Sequence, residues 1–242
     1  MRNRLLAVLL LCAASPAMAK DVDIDCGGAC SQDDFDAIAE DLIATIDYKA
    51  MGPAEATGIA GFGIGLVATY VPVDDEWARV TGSDFSGIGL AGLQVTKGLP
   101  FNIDLGAFYA TAPGSNVDMI GGELRYAFLP GSTVAPALAL RVSHVVVSGI
   151  DDFDVDSTSA DLSVSKGFAL VTPYAGVGYT SGAADPSAAV TAATGLTESE
   201  VEETKLFAGL RLSFGLFEIT PQFTQIGDVS SYSARLGFSF GL

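Results

Sequence analysis

From Gly58 to the end of the chain, apolar residues alternate with small or polar ones in runs of about ten residues, each bounded by turn residues. A period of two belongs to strands with two unlike faces. Ten strands are predicted: 58–72, 86–97, 101–111, 116–129, 134–148, 156–168, 171–181, 204–214, 216–226 and 230–241. One face is apolar throughout. It carries Phe62, Ile64, Leu66, Ala68 and Tyr70 in the first strand, and Tyr232, Ala234, Leu236, Phe238 and Phe240 in the last. The other face carries Asp104, Glu123, Arg125, Arg141, Asp161, Lys205, Arg211, Glu218 and Arg235 among Gly, Ser and Thr. Pro221 falls in the middle of the ninth strand, where it removes a ladder donor. The alternation slips near Ala91-Gly92, which predicts a bulge there.

Ahead of the strands the period is different. Phe35, Ile38, Ala39, Leu42, Ile43 and Ile46 recur at helical spacing and predict an amphipathic helix over about 32–48. Ser31 is placed to cap its start. Asp33, Asp34 and Asp36 suit the positive end of the helix dipole, and Lys49 suits the negative end. The apolar stripe must dock on something, either its own domain or, as a plug or binding element, something else.

The connections between strands sort by length. Those at 97–100, 129–133, 167–170 and Gly215 are tight. The longer ones carry Asp74-Asp75-Glu76, then Asp151-Asp152-Phe153-Asp154, then 182–203 with Glu198, Glu200, Glu202 and Glu203. All long connections fall at one rim, together with the short ones at 112–115 and 227–229, and every connection at the other rim is a tight turn. Aromatic residues sort likewise. Tyr70, Tyr109, Tyr179 and Tyr232 fall near the long-loop rim, while Phe62, Phe101, Phe128, Phe168, Phe214, Phe217, Phe238 and Phe240 fall near the tight-turn rim. Two aromatic girdles suit a bilayer-spanning barrel. A soluble sandwich shares the alternation but has no need of girdles.

Composition sharpens this. The 242 residues hold 12 Lys+Arg against 29 Asp+Glu, a formal charge of -17, yet mean hydropathy is +0.41. That hydropathy excludes a disordered chain. The acidity leaves no basic surface for nucleic acid. Residues 1–19, MRNRLLAVLLLCAASPAMA, read as a secretory signal peptide: Arg2 and Arg4, a short apolar core, and Ala17-Met18-Ala19 before the cleavage site. Residues 20–57 then form an N-terminal segment expected in the periplasm, and 58–242 the barrel. Cys26 and Cys30 remain, as a small local disulfide or as free thiols.

The signal peptide, the alternating segments and the end Tyr232-Ser-Ala-Arg-Leu-Gly-Phe-Ser-Phe-Gly-Leu242 together resemble the small outer-membrane β-barrel proteins of Gram-negative bacteria. The last strand is similar to the aromatic C-terminal strand that the barrel-insertion machinery recognises in that class, although here Gly241 and Leu242 follow Phe240. The resemblance implies an all-β fold, a transmembrane antiparallel up-and-down barrel of about ten strands. It implies location in the bacterial outer membrane, with lipid, lipopolysaccharide and the insertion machinery as partners.

The polar face then lines a lumen, with five bases and four acids. They either pair across it as a salt-bridge network or line a narrow small-solute path, a reading favoured by small residues such as Gly61, Gly63, Gly65, Gly176 and Gly178. No cofactor motif is present. A Ser–His hydrolase finds no support in His144, the single histidine, because adjacent Ser143 points to the opposite face. Asp151, Asp152, Asp154 and Asp156 alternate as in cation loops. Ser157 and Ser163 stand where an EF-hand needs Gly and Glu, which leaves at most loose divalent binding. The expected function is a non-enzymatic outer-membrane protein, structural or porin-like, or alternatively a surface-binding barrel acting through its acidic loops.

Overall fold

A computed structural model describes residues 31–73 and 87–240. The signal peptide, Cys26 and Cys30, the Asp74-Asp75-Glu76 turn and the final Gly241-Leu242 lie outside the described residues.

Helix α1 spans Gln32–Ile46. The Ser31 hydroxyl accepts from the Asp34 amide at 3.2 Å, and the Asp34 carboxylate accepts from the Ser31 amide at 3.2 Å, a capping box closed by Asp. The helix stops at Asp47, two residues before Lys49. Lys49 still serves its C-terminal end, since Nζ donates to the Ala44 carbonyl at 2.7 Å.

Ten strands follow: β1 Phe62–Pro72, β2 Gly87–Leu99, β3 Ile103–Thr111, β4 Asp118–Leu129, β5 Ala137–Ser148, β6 Phe153–Ser165, β7 Val171–Pro186, β8 Ser199–Phe214, β9 Phe217–Ile226 and β10 Val229–Phe240. Each pairs antiparallel with its neighbours in sequence, and β1 closes on β10. The fold is a closed ten-stranded up-and-down barrel with a short N-terminal helix. Closure leaves no edge strand unpaired.

Strand pairing bears on three local expectations. The register of β2 with β1 and β3 runs without a break through Ala91-Gly92. The irregularity lies instead between β4 and β5, at Tyr126/Leu129. Pro221 is accommodated because pairing of β9 with β8 skips from Gly209/Gln222 to Leu212/Ile219 without changing register, while pairing with β10 continues. The third difference is larger. Strands β6, β7 and β8 extend well into the acidic stretches read as loops, so that only residues 187–198, with helix α2 (Ala188–Thr194), connect β7 to β8. The carboxylates there keep the period of two. Asp154, Asp185, Glu200 and Glu202 point outward, and Phe153, Val155, Ala184 and Val201 point inward.

The barrel is apolar outside and polar inside. Leu66, Leu93, Leu124, Leu140, Leu206 and Leu236 are exposed on the outer wall. Gln94, Ser143, Ser159, Thr180, Thr220 and Gln222 are buried in the interior. Phe62 pairs with Phe240 at one height, and Tyr70 pairs with Tyr232 at another. Eight residues separate Phe62 from Tyr70. That is about 27 Å of strand at ~3.4 Å per residue, or about 20 Å along the axis at a tilt of about 40°. The outward Phe and Tyr rings therefore bracket an apolar band close to the thickness expected of a bilayer-spanning barrel. A water-soluble sandwich would require the reverse arrangement, since exposing a Leu side chain in water forfeits about 1.5–3 kcal/mol. Among the described residues no helix is long and apolar enough to cross a membrane; the crossing is made by strands.

Candidate functional site

The lumen is occupied by the chain's own N-terminal segment. Of the two destinations expected for the apolar stripe of α1, its own domain or something else, the structure has the first: it packs against the barrel. Helix α1 lies at the long-loop end, inside the wall raised by β6, β7 and β8. Phe35, Ala39, Ile43 and Ile46 pack there with Phe153, Val155, Ala184, Leu196 and Val201. The Phe35 and Phe153 rings meet edge to face at 5.9 Å. The apolar stripe thus has its docking partner in the inward positions of the extended strands. Gln32 fastens the top of the helix, accepting from the Thr197 amide at 3.0 Å.

From Asp47 the chain descends through the barrel. Ala50 packs with Tyr174 and Phe207, Ala54 packs with Ala127, Ala137 and Ala139, and the Thr57 amide donates to Asp104 at 3.0 Å. The chain leaves at the tight-turn rim and enters β1 at Phe62.

The nine lumen charges named from sequence all face this segment, and each has an oppositely charged partner. At mid-depth Lys205, fully buried, sits 2.7 Å from Asp47 and 3.3 Å from Asp161, and donates to the Tyr48 carbonyl at 3.1 Å. Asp47 also accepts from the Ser159 hydroxyl and, at 3.3 Å, from the Thr180 hydroxyl. Arg141 spans Glu123 at 2.7 Å and Asp161 at 3.8 Å. Lower down, Arg125 holds Asp104 at 2.7 Å and donates to the Pro53 carbonyl at 2.8 Å. Arg211 reaches Glu55 at 3.1 Å and Glu218 at 3.7 Å, and Arg235 reaches Glu218 at 3.4 Å. Ions this deeply buried are tolerable only when paired, and each of these has an oppositely charged partner within 4 Å.

The wall contributes five bases and four acids. Below α1 the plug adds Asp47, Glu55 and Lys49, two acids and one base, so six bases face six acids there. Sequence reasoning read Lys49 only as a helix-end charge and missed the other two, because Glu55 sits in a stretch without periodicity and Asp47 off the helix's apolar stripe. The one available signal was the wall's uncompensated positive charge.

The small lumen residues do not open a path either. A Cβ at Gly65 would lie 2.6 Å from Arg235 Nε, and one at Gly106 would lie 2.5 Å from Glu123 Cγ. The space left by glycine is filled by neighbouring charged side chains. Beside the plug lie cavities of about 30 Å³ at Tyr48 and Gln94 and about 50 Å³ between Glu55, Arg125, Arg211 and Glu218, and one of about 310 Å³ opens at the long-loop rim among Glu203, Gln225 and Asp228. The first two have room for one or a few waters each.

The remaining candidates lie elsewhere. His144 is on the outer wall, where Nδ1 hydrogen-bonds the Thr158 hydroxyl at 2.9 Å, while Ser143 is buried in the lumen. Asp151 and Asp152 precede β6, and Asp154 and Asp156 belong to it. Among the described residues no three acidic, His or Cys side chains come together to hold a metal ion. Outside the membrane-spanning strands, burial raises the carboxyl pKa of Glu40 on α1, helped by the nearby charges of Glu203, Asp41 and Asp228.

A closed barrel with an apolar exterior, aromatic girdles and a polar core is a membrane-spanning β-barrel. The chain belongs to the family of unknown function DUF6588, whose model matches residues 78–240. No curated protein matches it in sequence. Among solved structures it is similar to the N-terminal β-barrel domain of OprF from Pseudomonas aeruginosa, with 13% identity, 76% of this chain and 99% of that one covered, and a TM-score of 0.38. It is also similar to the β domain of the Bordetella autotransporter BrkA, with 14% identity, 75% and 100% covered, and a TM-score of 0.39. A third is Ail, the attachment invasion locus protein of Yersinia pestis, with 13% identity, 75% and 97% covered, and a TM-score of 0.27. The fold assignment rests on the strand pairing of this chain itself.

Proposed function

We propose that this is a non-enzymatic bacterial outer-membrane protein whose barrel is sealed by its own N-terminal segment. It acts as a closed structural element of the envelope rather than a standing pore. The observation that carries the reading is the seating of residues 47–57, whose Asp47 and Glu55 engage Lys205 and Arg211 of the wall. Export by the signal peptide and assembly by the barrel-insertion machinery belong to the same proposal. They draw support from residues 1–19 and from the outward Phe238 and Phe240 of β10.

The reading is tested by conductance of the refolded mature chain in planar bilayers. Inserted protein, verified by heat-modifiable migration, should be silent. Discrete, reproducible steps from the wild-type chain would overturn it in favour of a small-solute pore.

A second reading has its own support. The outer face of the raised wall carries Asp154, Asp185, Glu200 and Glu202 above the Tyr179 level, with Asp154 directly opposite Asp185. Such a face suits a surface-binding role, or contact with lipopolysaccharide phosphates through divalent cations. Loss of cell or lipopolysaccharide binding on replacing these four by Asn and Gln would favour it.

A further inference from the structure

We infer that the N-terminal end of helix α1 lies on the outer face of the membrane, on the side of the long loops, and not in the periplasm. The inference rests on the membrane reading above and on the direction in which the plug runs. In bilayer-spanning barrels the short turns face the periplasm and the longer connections face outward. Here β8 turns into β9 through Gly215-Leu216, with Gly215 at φ +70°, at the rim where the plug joins β1. The opposite rim carries the 187–198 connection and α2.

Helix α1 begins at that opposite rim. Ser31 is exposed, Gln32 is hydrogen-bonded to Thr197, and Asp33 and Asp36 are exposed. The chain then runs inward past Lys205, Tyr174 and Asp104 to Phe62. It passes the barrel once, from outside to inside, so its start is outside.

Beside the plug the described lumen has cavities of about 30 and 50 Å³, too small for a second pass of chain, and the lipid outside the wall does not accept an unpaired backbone.

The test uses the full chain in Gram-negative cells, with Cys26 and Cys30 replaced by Ser and one cysteine introduced at a time. Asp33→Cys and Asp36→Cys report the N-terminal end, Ala192→Cys the long-loop rim, and Ala60→Cys the tight-turn rim; all four positions are exposed. The probe is a polyethylene-glycol maleimide too large to cross the outer membrane. Heat-modifiable migration confirms that each variant folds. The expected result is modification of Asp33→Cys, Asp36→Cys and Ala192→Cys in intact cells, with Ala60→Cys modified only after permeabilisation. Modification of Ala192→Cys but neither helix position in intact cells would overturn the inference and leave the barrel's orientation intact. Modification of Ala60→Cys alone would overturn the orientation on which both readings stand.

Discussion

Replacing Lys205 by Met probes the contact between plug and wall with the least disturbance of shape. Lys205 is fully buried and is within ion-pair distance of two carboxylates, Asp47 and Asp161. The two are not left equally exposed by its loss. Asp161 keeps Arg141 at 3.8 Å. Asp47 keeps the Ser159 and Thr180 hydroxyls and the more distant charge of Lys49, with no other cation in ion-pair contact among the described residues. Removing one partner of a buried ion pair costs about 3–5 kcal/mol, because the other charge is left uncompensated. Most of that cost should therefore reside at Asp47. The double variant Lys205→Met/Asp47→Asn removes the stranded charge and should recover a large share, giving a coupling of about 2 kcal/mol or more. The assay is urea unfolding in lipid vesicles, followed by circular dichroism and gel migration. If Lys205→Met costs less than about 1 kcal/mol, or the double variant is as unstable as the sum of the singles, Asp47 is not seated against Lys205 and the plug geometry is refuted.

Three further outcomes follow from the same structure. Leu66 is 65% exposed and lies midway between Phe62 and Tyr70, so Leu66→Arg should cost about 2–4 kcal/mol in a bilayer; no change in folding in vesicles would contradict a lipid-facing outer wall. A Cβ at Gly178 would collide with the Asp161 carboxylate and lie 2.7 Å from the Ala160 carbonyl, so Gly178→Val should destabilise the barrel by about 1–3 kcal/mol in the same unfolding assay. Glu40 has its pKa raised in the folded state, so it binds protons more readily there than when unfolded. Its contribution to stability is present at low pH and lost as pH rises through the raised value. Glu40→Gln should therefore stabilise α1 docking at neutral pH and make no difference at acid pH, as read by protease protection of α1 at the two pH values.

Much of the wall was legible because its information is local. A period of two sustained from Phe62 to Phe240 assigns each side chain a face, and that placed Asp104, Glu123, Arg141 and Lys205 inside without knowledge of their partners. The apolar stripe of α1 was equally legible, but not its destination. The residues it packs against, Phe153, Ala184 and Val201, sat in stretches whose carboxylates read as solvated loop. Those carboxylates occupy alternate positions because the wall there has water on one side and a helix on the other. Residues 47–57 were illegible for a different reason. A chain threading a lumen needs neither period, and it is fixed by contacts far apart in sequence, such as Asp47 to Lys205 and Thr57 to Asp104. The glycines misled in a related way: a lumen-facing glycine reads as open space until its neighbour's side chain is known, as with Gly65 and Arg235.

The most direct test of a sealed barrel is hydrogen–deuterium exchange of the plug amides in the folded protein in bilayers. The amides of Asp47, Met51, Gly52, Ala54 and Thr57 donate to Ile43, Lys49, Ala50, Ser165 and Asp104, with heavy-atom distances of 2.7–3.1 Å. They should exchange as slowly as the β6 and β7 amides around them. Exchange of 47–57 at the rate of an unstructured chain, while the strands stay protected, would show an empty lumen and contradict the account.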